Sequence, residues 1–151
     1  MTSDQLTAAL HDAATRTLED MCFLCDAPEM QGEFEGTPTP AFASVHFTGP
    51  KTGHLEVHVA ADLLPVIAEN MLGLDESDAR EQLDALGEIA NVICGNVLPS
   101  LCDDTAVFDI GSPVTGTDDA VLTSGGAQPS ASVRLMLDYG PATTFLFVDG
   151  E

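Results

Sequence analysis

Between positions 83 and 101 apolar residues return at Leu83, Leu86, Ala90, Ile93, Val97 and Leu101. They stand three or four apart, so at about 100° per residue they form one stripe along a helix. A stripe of that length has to face a core, and the rest of the chain must be laid against it. Asp84, Glu88, Asn91 and Gly95 fall in a sector of roughly 60° on the far side of the same wheel and are expected to point outward. Their spacing stacks them, which lets Glu88 and Asn91 touch one small region of a partner. A glycine inside a helix costs roughly 1 kcal/mol relative to alanine. Gly95, and more weakly Gly87, therefore suggest the close approach of another backbone or surface. Taken alone, Glu-x-x-Asn is also what an ordinary solvated helix face looks like.

The chain before this helix supplies the layers it needs. Thr2-x-x-Gln5 is a capping-box pattern, and Leu6, Leu10, Ala13, Thr17, Met21 and Leu24 give the helix it opens an inward stripe running to about Cys22 or Leu24. The outward ridge of that first helix is expected to carry Thr15, Glu19 and Cys22 at the spacings of Asp84, Glu88 and Asn91. Residues 15–25 can be laid over 84–94 without a gap, a possible internal repeat. A thiol at Cys22 lacks the paired donor and acceptor of an amide, so only the second copy can be active. Residues 26–40, with Pro28, Gly32, Gly36, Pro38 and Pro40, read as loop.

Two alternating runs, 42–48 and 54–60, flank Gly49-Pro-Lys-Thr-Gly53 and read as a hairpin. One face takes Ala43, Val45, Phe47, Leu55, Val57 and Val59, the other Ser44, His46, His54, Glu56 and His58. His54 and His58 lie about 13 Å apart along an extended strand, too far for one ion. A solvated or subunit-contacting face is the expectation, ahead of a metal site built from His46, one neighbour and Glu56. A helix over 62–72, with Pro65 in its first turn and Gly73 as its stop, follows. Asp75 or Ser77 is expected to cap the long helix, and Pro99 to close it. Strands are expected at 106–110, 120–123, 133–138 and 144–148. The sum is an α+β domain of two layers, long helices packed on a largely antiparallel sheet, with residues 1–151 as one unit.

Charge narrows the partners. Twenty-five acidic residues against four basic ones give a net charge of −21, which repels nucleic-acid phosphates and anionic lipid heads and makes neither a partner. The acidic surplus, with Lys51 the sole lysine, also fits a salt-rich cytoplasm in which screening relieves self-repulsion. A protein equally stable with and without salt would count against that. No stretch reaches the ~20 apolar residues needed to cross a bilayer, and no basic segment followed by an apolar run opens the chain, so a cytoplasmic protein is expected. Cys22, Cys25, Cys94 and Cys102 would then be packing thiols, since no second close pair completes a metal set with Cys22-x-x-Cys25.

At Asp84-x3-Glu88-x2-Asn91, followed after twenty-one intervening residues by Pro113, the sequence resembles the CheC/CheX/FliY chemotaxis phosphatases, and most closely their CheX branch. The signature of that family is Asp or Ser, three residues, Glu, two residues, Asn, and a proline about twenty-two residues on. Ile93-Cys94-Gly95-Asn96 and the stretch 53–73 also look like the family, so the resemblance covers most of the chain. It implies a CheX-like fold, a homodimer formed through the sheets, and a phosphorylated CheY-like receiver as substrate. The receiver would bring its own phospho-aspartate, Mg2+ and lysine, so no cofactor or metal is expected on this chain. Asn91 would orient the attacking water, as a glutamine does in a GTPase, and Glu88 would pair with the receiver's lysine. Asp84, Gly95 and Pro113 are assigned supporting, partner-binding roles. The alternative is a non-catalytic module of the same fold that binds a response regulator or a flagellar switch component.

Overall fold

Thr2 caps the first helix in the way its sequence requires. Its hydroxyl accepts from the Gln5 amide at 3.1 Å and its own amide donates to the Gln5 side chain at 2.9 Å, satisfying two of the donors a helix start leaves open. The computed structural model describes residues 2–102, 105–117 and 128–149. In it α1 spans Ser3–Cys22 and stops where Phe23 turns left-handed at φ 57. A short helix, α2 (Gln31–Phe34), interrupts the segment expected to be loop throughout. Then come β1 (Ala41–Thr48), β2 (Gly53–Val59), α3 (Leu63–Leu72) and α4 (Ala79–Val97). After these the chain forms β3 (Asp109–Ile110), β4 (Val114–Gly116), β5 (Ala131–Leu137) and β6 (Gly140–Val148).

The strands make one antiparallel sheet of order β3-β1-β2-β6-β5, with β4 also on the β1 edge. The hairpin register pairs Val45 with Leu55 and His46 with His54, which is the register expected from alternation. Ala43, Val45, Phe47, Leu55, Val57 and Val59 are all buried beneath the helices. Leu86, Ile89, Ala90, Ile93 and Val97 of α4 close on them from above, each at zero exposure. Truncating a leucine or isoleucine at such a site costs about 2–5 kcal/mol. The two-layer α+β architecture is therefore the one the periodicities required.

The chain path repeats. Each long helix is followed by an antiparallel hairpin, α1 by β1 and β2, α4 by β5 and β6, and the two hairpins meet at the centre of the sheet where β2 pairs with β6. Each helix packs on the other's hairpin: α1 lies across β5 and α4 across β1. After each helix the chain also pairs with the outer strand beneath it. Asp26 bridges to Leu137 at the end of β5, and β3 and β4 pair with β1.

Several expectations are corrected. Asp78, not Asp75 or Ser77, caps α4, accepting from the Glu81 amide at 2.8 Å with the Glu81 side chain returning the bond. The Ser77 hydroxyl donates instead to Glu69 of α3 at 2.8 Å. The strand expected over 106–110 shrinks to Asp109–Ile110, and an unexpected β4 follows it; the strand expected at 120–123 lies outside the described residues. Cys22 is fully buried and not on an outward ridge, because it is the last residue of α1, where the chain turns down toward β5. Cys25, expected to pack, is exposed, while Cys94 is buried.

The outer face of the hairpin also differs from a solvated one. Ser44, Glu56 and His58 are buried there, and Glu56 accepts from the ring nitrogens of both His54, at 2.9 Å, and His58, at 3.1 Å. The rings explain the covering. His54 stacks on Phe147 with centroids 4.4 Å apart, His58 meets Phe145 edge-on at 5.4 Å, and His46 stacks on His54 at 5.1 Å. Alternation alone counts these positions as polar, but neighbouring strands set large rings against them.

Candidate functional site

Helix α4 carries the candidate site on its solvent side. Asp84 and Glu88 are exposed, Gly95 is exposed, and Asn91 is half-buried. The unbroken helix puts Glu88 and Asn91 about 4.5 Å apart along its axis and some 60° apart around it, on adjoining sides of one ridge. Asp84 sits a turn before Glu88 and makes a loose ion pair with Arg80 at 3.9 Å. Both partners are largely exposed, so the pair contributes little to stability.

Asn91 is less open than the wheel of α4 alone implies, and its position explains why. It stands about 60° from Glu88 in the direction of Gly87, which lies about 100° from Glu88, and that flank of the helix is covered. Pro113 packs into the notch left by Gly87: a Cβ there would lie 2.9 Å from the proline Cγ and 3.4 Å from Thr115 Cγ2. The segment bearing β3 and β4 thus runs beside the ridge as a strap, held to β1 by pairing of Phe47 with Ile110 and of Ala43 with Thr115. Pro113 is brought to the site although twenty-one residues separate it from Asn91. Gly87 is buried by this contact, and the close approach that a mid-helix glycine signals is here made within the chain.

The side-chain oxygen of Asn91 is buried without a hydrogen-bond partner, the sole such side-chain atom among the described residues. A buried acceptor left unpaired costs about 1–3 kcal/mol. No hydrogen bond therefore fixes that oxygen in its covered position.

Around the site the interior is apolar. Burial pushes the thiols of Cys94 and of Cys22 up to about 12, so neither is a nucleophile near neutral pH. Among the described residues no group of three or more His, Cys, Asp or Glu side chains is placed to hold a metal ion, and no helix is long and apolar enough to cross a membrane. The sequence reading named every residue of the ridge. It undervalued Gly87 and missed Ile110 and Thr115, whose positions depend on a strap that no periodicity marks; the mid-helix glycine was the one available sign.

The family model for the chemotaxis phosphatase CheX matches residues 41–134, more than half of the chain and the whole of α4 with its strap. Comparison with curated protein sequences returned no match. Among solved structures, a chemotaxis protein CheX from Desulfovibrio desulfuricans is similar at 20% identity and a TM-score of 0.69, over 95% of this chain and 99% of that one. The CheX of a CheX-CheY-BeF3-Mg2+ complex from Borrelia burgdorferi is similar at 18% identity and a TM-score of 0.65, over 93% and 96%. Thermotoga maritima FliY is similar at 15% identity and 0.59, over 95% and 86%. At these identities the structural likeness speaks for the fold.

Proposed function

The chain belongs to the chemotaxis phosphatase CheX family, and from that premise we propose that it accelerates hydrolysis of the phospho-aspartate of a CheY-like response regulator. The observation that carries this reading is the pairing, on the open ridge of α4, of an exposed Glu88 with an Asn91 whose side-chain oxygen has no partner. Glu88 and Asn91 alone do not make a self-sufficient catalytic centre. They suffice where the substrate protein brings the activated phosphoryl group together with its own Mg2+ and lysine. The Borrelia CheX, crystallised with CheY, BeF3 and Mg2+, supports such a partner.

In this mechanism Asn91 turns its carboxamide into the receiver's pocket, accepts from a water proton and holds the water oxygen in line with phosphorus. The water bonds to phosphorus as the acyl-phosphate P–O bond breaks, releasing inorganic phosphate and the free aspartate. Asparagine suits this task because it donates and accepts without a charge that the phosphoryl oxygens would repel. Glu88 pairs with the receiver's lysine and fixes the angle at which α4 enters. Asp84 and Gly95 extend the contact, and Pro113 sets the strap against Gly87. The test follows phosphate loss from candidate receivers with wild type and Asn91→Ala side by side. Acceleration by wild type, abolished in Asn91→Ala with binding retained, is expected; equal loss with and without wild type overturns the enzyme reading.

The second reading keeps the fold and drops the turnover. Likeness in fold to FliY and to the middle domain of FliM from Vibrio alginolyticus favours a module that docks on a receiver or on a flagellar switch component, and binding without turnover would single it out. The homodimer through the sheets belongs to the same proposal. The aromatic and histidine-bearing outer face supports it, and a monomer in sedimentation equilibrium at working concentrations would remove it.

A further inference from the structure

The two glycines of α4 are not equivalent. Gly87 is accounted for within the chain, since Pro113 occupies the space a side chain would need. Gly95 is not: among the described residues a Cβ there would meet nothing nearer than Ile110 Cδ1 at 4.0 Å, an ordinary contact, and the position is exposed. Gly95 stands in the last turn of α4, where a glycine still gives up helix propensity, and no contact among the described residues accounts for it. Ile110 beside it is 37% exposed, an apolar side chain left partly open next to bare helix backbone.

We propose that Gly95 and Ile110 form a docking step for the receiver, on which a segment of its main chain beside the phosphorylation pocket lies against the backbone of α4. An apolar receiver side chain covers Ile110. The inference rests on the phosphatase reading above and adds to it where the partner's body is held. Position and direction argue for this occupant. Gly95 lies within about 20° of Glu88 around the helix and one turn beyond Asn91, so a protein whose pocket receives Asn91 and whose lysine meets Glu88 must pass over it. On this strongly acidic chain neither Gly95 nor Ile110 carries a charge, so the step contributes contact area without itself repelling the acidic rim of a magnesium-binding pocket.

The experiment uses Gly95→Ala and, separately, Ile110→Ser, with Asp20→Ala on exposed α1 as the control. Beryllofluoride-loaded receiver with Mg2+ is titrated for affinity, and phospho-receiver is used for turnover. Gly95→Ala is expected to raise the melting midpoint by about 2–4 °C, because alanine is the better helix former and meets no clash. It is expected to weaken Kd and raise KM about tenfold with kcat retained, since one methyl overpacks a close backbone contact. Ile110→Ser should weaken binding in the same sense and Asp20→Ala should leave it unchanged. A stabilised Gly95→Ala that binds and turns over like wild type overturns the docking step and leaves the phosphatase reading standing. Wild type that fails to bind any receiver overturns both, whereas wild type that binds without turnover ends the enzyme reading while the Kd comparison still decides the step.

Discussion

The two long helices sit in matching places and end differently. Each lies on the other's hairpin, and each is followed by a segment paired to an outer strand. Glu19 and Glu88 are both exposed at corresponding positions. The difference lies three residues on. α1 ends at Cys22, held by bonds from the Phe23 and Leu24 amides to Glu19 and Leu18 and by Asn70 of α3 donating to the Cys22 carbonyl at 2.6 Å. α4 continues for six residues past Asn91, to Val97, before the chain leaves the helix. A residue at a helix end that turns into the core is buried by the turn, as Cys22 is, whereas Asn91 in mid-helix is only half-buried. The comparison teaches that the position three residues after the exposed glutamate goes fully inside where the helix stops and stays partly open where the rod runs on.

The largest effect that would sharpen this contrast is on turnover. Asn91→Ala should cost on the order of a hundredfold or more in accelerated dephosphorylation, while Glu19→Ala, its neighbour's counterpart on α1, should leave the rate unchanged. A comparable loss from Glu19→Ala would mean that both halves act. Cys22→Asn tests the contrast by stability: an amide placed in a fully buried apolar site should cost roughly 2–3 kcal/mol in chemical denaturation and confer no second active ridge. A stable Cys22→Asn with doubled activity would break the argument from burial.

A smaller effect is expected at Gly87. A Cβ placed 2.9 Å from Pro113 must displace the strap, and the clash outweighs the gain in helix propensity by about 1 kcal/mol. Gly87→Ala should therefore lower the midpoint, the opposite sign from the change at Gly95. A further contrast concerns the thiols. Cys25 should react at once with a thiol reagent, and Cys22 and Cys94 only on unfolding. Because burial raises the two buried thiols from 9.0 to about 12, the unfolded chain loses their protons first. Their contribution to stability is complete below about pH 9 and falls as pH rises toward 12. Stability that stayed flat over that range would contradict their burial.

Local pattern carried a great deal of this molecule. The capping box at Thr2 and Gln5, the hairpin register, the stop at Gly73 and the outward placing of Asp84, Glu88 and Gly95 all follow from interactions within a few residues, where helix and strand periods are decisive. The burial of Cys22 and of Glu56 between two histidines was not legible in the same way, since both depend on elements distant in sequence. Cys22 belongs to the outward ridge on α1's own wheel and is taken inside by α3 and β5; Glu56 alternates outward on β2 and is enclosed by rings from β1 and β6.

The sequence by itself determined a layered α+β chain with a glutamate and an asparagine on one long helix, because helical period and apolar spacing are properties of contiguous residues. Only the tertiary structure decided that Pro113 fills the notch at Gly87, that Asn91 is half-buried with its oxygen unpaired, and that Gly95 stays exposed. Those outcomes turn on which surfaces meet across the fold, and contact between segments far apart in the chain leaves no period to read.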